Sequence, residues 1–347
     1  MKELKTLLIV IFFTLFLYWG IEPFAHSKLN PPVEPANYDF AAEDIALAKT
    51  NLEKANANLE KAKKVGLDDM VKNAQNEVEI AKTSLDRYSS FWSDINAIDL
   101  KAGDATNGEL AFQASCMGCH SLKAGGYEPL VSEAEGSEMY GVNPPDLSSA
   151  GKIYDDKFLA ALIKNPVMAL KVDHKFDFEY AGEAIHPMTP FYGAGTKDDL
   201  NAEIADIVAY LKAVAPKEEL STKAVFMDAC SRCHDVKYDE VYVGGNREKL
   251  NEYMGMTPPD LSMYIRSRSN EYLHNFINDT QKMLVGTSMP RVGLTKEAED
   301  KVIAYMESVG DSKKDEREKI SIYVMIYFVI LAVFAGLWKR KIWSKLH

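Results

Sequence analysis

The chain has four cysteines among 347 residues, and all four fall in two pentads: Cys116-Met117-Gly118-Cys119-His120 and Cys230-Ser231-Arg232-Cys233-His234. Cys-x-x-Cys-His is an attachment site for heme c. Two thiols add across the porphyrin vinyl groups, and the adjacent imidazole reaches the iron. A flat cofactor held this way serves as the core of its own small domain. Cys116, Cys119, Cys230 and Cys233 are therefore the candidate covalent sites for two hemes, with His120 and His234 as axial ligands. A zinc site built from the four thiols would leave both histidines without a role. A thioredoxin-like pair expects a preceding strand and a parallel sheet, whereas Ala-rich helical segments precede both motifs. Short disulfides would not account for the repetition. No nucleophile triad, acid–base carboxylate pair or phosphate-cradling glycine loop stands out, so no catalytic residue is assigned.

The other axial position suits a methionine. His/Met ligation raises the potential and fills the iron's coordination shell, which favours electron transfer over binding of oxygen or peroxide. Among 14 methionines, Met188 and Met289 each follow a Cys-x-x-Cys-His, lie beside a proline and precede a final helix. The rivals are Met168, His174 and His186 for the first heme, and Met283 or His274 for the second. The alternative reading of the three histidines is plain surface residues. Arg291 is either a partner for a heme propionate or a surface charge. The two Pro-Pro-Asp-Leu segments are expected to wall one edge of each heme.

These residues sit in an internal repeat over about 100–311. Each copy reads helix, Cys-x-x-Cys-His, turn, Pro-Pro-Asp-Leu-Ser, helix, Met beside Pro, then a last helix. Cys116 and Cys230 are 114 residues apart, as are Pro144 and Pro258, but Met188 and Met289 only 101. The first copy thus carries extra residues, expected around 167–183. Runs of alternating β-branched residues are few, so the fold predicted is mainly α.

Ahead of the repeat, residues 38–92 lack proline and show apolar positions at helical spacing: Ile45, Leu52, Ala55, Leu59 and Ala62, then Met70, Ala74, Val78, Ala81, Leu85 and Tyr88. Gly66 reads as a C-cap between two helices, giving an antiparallel hairpin that acts either as a docking arm or as a spacer. Residues 22–37 hold four prolines and predict a stiff, extended lead-out.

Two apolar blocks bracket the chain. Leu7–Ile21, behind Lys2 and Lys5, has the layout of a signal peptide or signal anchor. It ends in Tyr18-Trp19-Gly20-Ile21-Glu22-Pro23, a poor cleavage site with an interfacial aromatic pair, so a retained anchor is expected. Ile320–Trp338 is an uncharged stretch long enough to span a bilayer, followed by Lys339, Arg340, Lys341 and Lys345. By the positive-inside rule both ends lie in the cytoplasm and the middle lies outside. The overall charge is −11, and the middle, with only Glu3 of the acidic residues excluded, carries about −17. That surface favours basic protein partners and opposes nucleic acid, although acidity also simply keeps exported proteins soluble.

The expected division is an N-terminal anchor (1–21), a Pro-rich linker (22–37), the hairpin (38–92), two heme domains (100–216 and 217–311), a transmembrane helix (319–338) and a basic tail (339–347).

Each half of the repeat, with CMGCH and CSRCH, resembles a class I cytochrome c domain. The C-terminal helix followed by WKRKIWSKLH is similar to the tail of cytochrome c1. The whole looks like the diheme cytochrome c subunit of some bacterial cytochrome bc complexes, a group the EPFAH stretch also fits. That resemblance implies heme domains in the periplasm, cytochrome b and a Rieske iron–sulfur protein as neighbours, and a dimeric complex. Electrons would pass from the Rieske protein to a soluble cytochrome c or a terminal oxidase. The alternatives are a diheme subunit of a C-family heme–copper oxidase, a freestanding membrane-bound carrier and a diheme peroxidase.

Overall fold

The computed structural model describes residues 2–29, 35–176 and 185–345. Part of the Pro-rich lead-out, the second half of the expected extra stretch and the last two residues of the tail lie outside the described residues. Helices dominate, and among the described residues there is no strand, only three isolated bridges. The mainly α expectation holds.

The first helix, Lys2–Phe16, runs through a π-helical turn, Leu17–Ile21, into Glu22–Leu29. The extended lead-out expected from residue 22 is thus helical to Leu29. Pro23 lacks an N–H and clashes with the carbonyl four residues back, and a π turn just ahead of it absorbs that mismatch within a helix. Lys2–Ala25 and Lys314–Trp343 are both long and apolar enough to cross a membrane, and their apolar windows bury nothing against the rest of the protein.

The hairpin pairs Phe40–Val65 with Asp68–Asn96. Asp39 caps the first helix by accepting from the Ala42 amide at 3.1 Å, and Gly66 ends it at φ 77°, a conformation that glycine adopts without penalty. Alanines take the seam: Ala41, Ala48, Ala55 and Ala62, spaced by seven, are buried, while Ile45, Leu52 and Leu59 are only half-buried. Small side chains let the two backbones approach closely. The far turn leaves Val65, Leu67 and Met70 exposed.

The open end of the hairpin packs on the first repeat, where Phe40, Tyr88, Trp92 and Ile95 join its core. Asp44, on the buried side, receives Arg291 Nη1 at 2.8 Å, Lys171 Nζ at 3.0 Å and Trp92 Nε1 at 2.9 Å. Asp279 takes Lys171 Nζ at 2.7 Å and Arg291 Nη2 at 2.9 Å. Hairpin, first repeat and second repeat therefore meet at a closed group of two cations and two carboxylates. Arg291, read from sequence as a propionate partner or a surface charge, is 0% exposed and its terminal nitrogens are taken by Asp44 and Asp279.

Both repeats close by crossing an N-terminal helix with the last helix. Ala105–Ser115 crosses Leu200–Val214, with Phe112 5.8 Å from the Tyr210 ring. Thr222–Ala229 meets Lys296–Gly310, with Phe226 4.7 Å from Tyr305. Between these crossings the 114-residue register persists. Glu133–Tyr140, Asp156–Lys164 and Pro166–Ala169 recur as Arg247–Met254, Asn270–Asn278 and Thr280–Met283. The added residues of the first copy therefore begin after Ala169, slightly later than the sequence suggested.

Candidate functional site

The two pentads fold alike. Cys116 ends its helix by donating its amide to Phe112 O at 2.8 Å, and Cys230 does the same to Phe226 O at 2.8 Å. The chain then turns so that the histidine amide reaches back to the first cysteine carbonyl: His120 to Cys116 at 2.9 Å, His234 to Cys230 at 3.0 Å. Each loop thus presents two thiols and an imidazole together. All four cysteines are free thiols. Burial pushes the Cys116 and Cys230 thiols up to about 12, so each stays protonated at neutral pH.

The imidazoles are held by residues that the sequence reading assigned elsewhere. His120 Nδ1 lies 3.0 Å from Pro145 O, and His234 Nδ1 lies 2.8 Å from Pro259 O. A carbonyl there makes Nδ1 the protonated nitrogen and leaves the Nε2 lone pair for a metal. Burial holds both rings toward the neutral form, against the opposing pull of these carbonyls. The Pro-Pro-Asp-Leu segment, expected only as a wall, is the device that orients the ligand. Its leucine amide closes the loop, Leu147 onto Ser121 O and Leu261 onto Asp235 O, both at 2.9 Å. The signal was present in the sequence: both Pro-Pro segments sit at one fixed distance behind their histidines.

The distal candidates are placed less symmetrically. Met188 lines a cavity of about 240 Å³ with Met168, His186, Phe176 and Arg87. Met168 is buried and its sulfur accepts from Arg87 Nη2 at 3.5 Å, which turns it toward the hairpin. His186 is stitched to the backbone of Met188: its Nδ1 lies 2.9 Å from that residue's carbonyl and 3.2 Å from its amide nitrogen. The ring meets the Phe176 ring edge-on at 5.1 Å. His186 is therefore a half-buried shaper of the methionine loop, where the alternative reading had a surface residue. His174 is exposed, in agreement with that reading. His274 is not: its Nδ1 lies 2.6 Å from Glu299 and its Nε2 3.5 Å from Asp300. In the second copy Met289 follows a short turn in which its amide donates to Thr287 Oγ1 at 3.3 Å. Met283 is half-buried at the end of Thr280–Met283.

Two thiols, one Nδ1-anchored imidazole and a later methionine loop make a donor set that fits covalent heme in each copy. Among the described residues no group of three or more His, Cys, Asp or Glu side chains gathers to hold a metal ion.

A family profile described as cytochrome c matches residues 105–215 and, a second time, residues 221–310. No curated protein matches the chain. Among solved structures, a chain of a "Hyperthermophilic respiratory Complex III" is similar at 23% identity and a TM-score of 0.29, over 36% of this chain and 75% of that one. A likeness that distant bears on neither partners nor reaction.

Proposed function

Because the chain belongs to the cytochrome c family, with two such domains and an electron-transfer role, we propose that it is the diheme subunit of a quinol–cytochrome c reductase, standing where monoheme cytochrome c1 stands in related complexes. Cys116, Cys119 and His120 would hold one heme, with Met188 as its further protein ligand. Cys230, Cys233 and His234 would hold the other, with Met289 in the same role. Heme c, once bound, supplies one-electron chemistry at its iron. The protein's own part is to fix each imidazole through Pro145 or Pro259, to bring a methionine to the far side and to exclude competing ligands. The heme domains, 100–216 and 217–311, lie in the periplasm, with both chain ends in the cytoplasm. Electrons arrive from a Rieske iron–sulfur protein beside cytochrome b and leave to a soluble cytochrome c or a terminal oxidase.

One observation carries this reading. The second heme domain runs directly into the 30-residue helix Lys314–Trp343, apolar through its middle and basic at its end. A helix in that position anchors the heme domain beside an integral membrane partner. Ion pairs stiffen the junction: Arg317 grips Asp311 at 2.6 and 2.7 Å, and Lys314 pairs with Glu307.

The test is a reduced-minus-oxidised spectrum of the protein captured through a C-terminal tag in mild detergent. Bands of c-type and b-type heme together, unresponsive to carbon monoxide, are expected. Bands of c-type alone would make it a freestanding carrier. A carbon monoxide-sensitive b-type heme would make it an oxidase subunit. A c-type band that itself shifts would favour a peroxidase.

A further inference from the structure

The two repeats pack on each other through equivalent elements. Glu133–Tyr140 of the first touches Arg247–Met254 of the second, its counterpart at the 114-residue offset. Gly141, at φ 77°, lies so close that a Cβ there would sit 2.4 Å from Tyr253 Cβ. Asn246 donates its amide to Ser137 Oγ at 2.8 Å. The segments that follow the two heme-attachment loops thus form one of the contacts between the heme domains, beside the charged junction.

One side chain breaks the equivalence. Arg232 lies between Cys230 and Cys233, inside the second attachment loop. Its counterpart in the first loop is Gly118, where an added Cβ would meet nothing within 4 Å. The Arg232 guanidinium reaches across the interface and donates from Nη1 to Asn143 O at 3.1 Å. Asn143 directly precedes Pro144 and Pro145, and the Pro145 carbonyl orients His120. Arg232 is half-buried, and its Nε is buried without a hydrogen-bond partner. The groups around it are mostly uncharged, Tyr154, Tyr253, His120, His186 and the Cys230 and Cys233 thiols, with Asp228 near Tyr154 and a second cation, Lys175, bonded to Tyr253 O.

Resting on the diheme reading above, we propose that Arg232 is the positioning residue that couples the two heme sites: from the second attachment loop it fixes the segment orienting His120 and sets a positive charge between the sites. Adding an electron to an iron near a cation is favoured, so Arg232 raises the potential of the first heme. The first loop offers nothing in return, because Gly118 has no side chain to reach back. Arg232 stands in the second attachment loop, so its charge acts on the second heme as well; what the first heme alone receives is the fixing of the segment that orients its histidine.

The experiment is an optical redox titration of the full-length protein in detergent, as wild type, Arg232→Gln and Arg232→Lys. Arg232→Met, which keeps the packed stem, replaces the glutamine variant if that one does not accumulate. Removal of the charge is expected to lower the first heme's reduction equilibrium by roughly tenfold, about 59 mV for one electron. Lysine retains the charge without the planar fork and is expected to restore most of that shift. Repeating the titration in a Met289→Ala background assigns the shift to the first heme. An uncharged variant with both hemes in place and unmoved potentials would overturn the inference, as would a lysine variant shifted as far as the uncharged one. Two covalent hemes in the wild type, read from its mass, are the premise: their absence ends the diheme reading itself, whereas unmoved potentials end this inference alone.

Discussion

At the scale of single residues, Met188 is the proposed first distal ligand, and its rivals differ in what they already do. Met168 has its sulfur against Arg87, whereas His186, with Nδ1 on the Met188 backbone, keeps Nε2 free as His120 does and is the rival that the geometry leaves open. Met188 sits on the loop that this histidine shapes, with prolines on both sides, Pro187 and Pro190, to stiffen it. Met289 has the same proline beside it and a turn pinned by Thr287. Replacing Met188 by alanine should open one iron of two, lower its potential and let about half of the c-type absorbance respond to carbon monoxide. Met289→Ala should do the same to the other half, and the double variant to all of it. Met168→Ala should change stability and leave the spectrum alone. Carbon monoxide difference spectra on the four variants check this, and a response in Met168→Ala with none in Met188→Ala would reassign the ligand.

At the scale of elements, the hairpin is held by charge as well as by its alanine seam. Asp44 is almost wholly buried and answers two cations from two different repeats. Asp44→Ala would leave Arg291 and Lys171 to share Asp279 alone, and breaking a buried pair from one side costs about 3–5 kcal/mol. Burial by itself would raise the Asp44 pKa, but the charges of Arg291 and Lys171 overcome it and hold the carboxyl below its ordinary value. An unfolded aspartate titrates near ~3.9, so this stabilisation is present above that pH and is lost as pH falls through the lower folded value. Thermal unfolding followed by circular dichroism from pH 7 to pH 3 should show Asp44→Asn less stable at neutrality and with a shallower acid loss than wild type. Parallel acid slopes would remove Asp44 from the account. Helical periodicity made the hairpin and its Gly66 turn legible in the sequence, and the repeat did the same for both attachment loops. It could not flag Asp44, Lys171, Asp279 or Arg291, because charged side chains are read as surface by default and their partners lie far apart in sequence, 247 residues for Asp44 and Arg291. Met168 stayed open for a similar reason: spacing shows which residues can reach a heme, whereas only packing shows that its sulfur is already engaged by Arg87.

At the scale of the whole molecule, the ends and the middle are built for different solvents. Neither terminal helix contributes a buried residue, whereas the packed region starts at Tyr38, which donates to Glu299 at 2.8 Å, and reaches Gly310, where an added Cβ would sit 2.5 Å from Ser262 O. Among the described residues, everything that closes the two cores and the charged junction therefore lies within 38–310. The hydrophobic gain from the terminal helices is realised in lipid and not against the protein, so their removal exposes no core. A chain limited to residues 35–312 and exported behind a cleavable signal should be water-soluble. It should carry both hemes and give the same c-type spectrum and potentials as the full-length protein, while losing any b-type heme that co-purifies with the latter. Trimming further to begin at residue 45 should fail, because Phe40 and Asp44 go with the cut: Arg291 and Lys171 would lose a carboxylate and the first repeat would lose an aromatic side chain from its core. Comparing heme content and solubility of the two truncations separates anchors from clamp. If the longer version loses heme or precipitates, the terminal helices support the fold in a way their exposure does not suggest; if the shorter one is as stable as the longer, the hairpin's open end is no clamp.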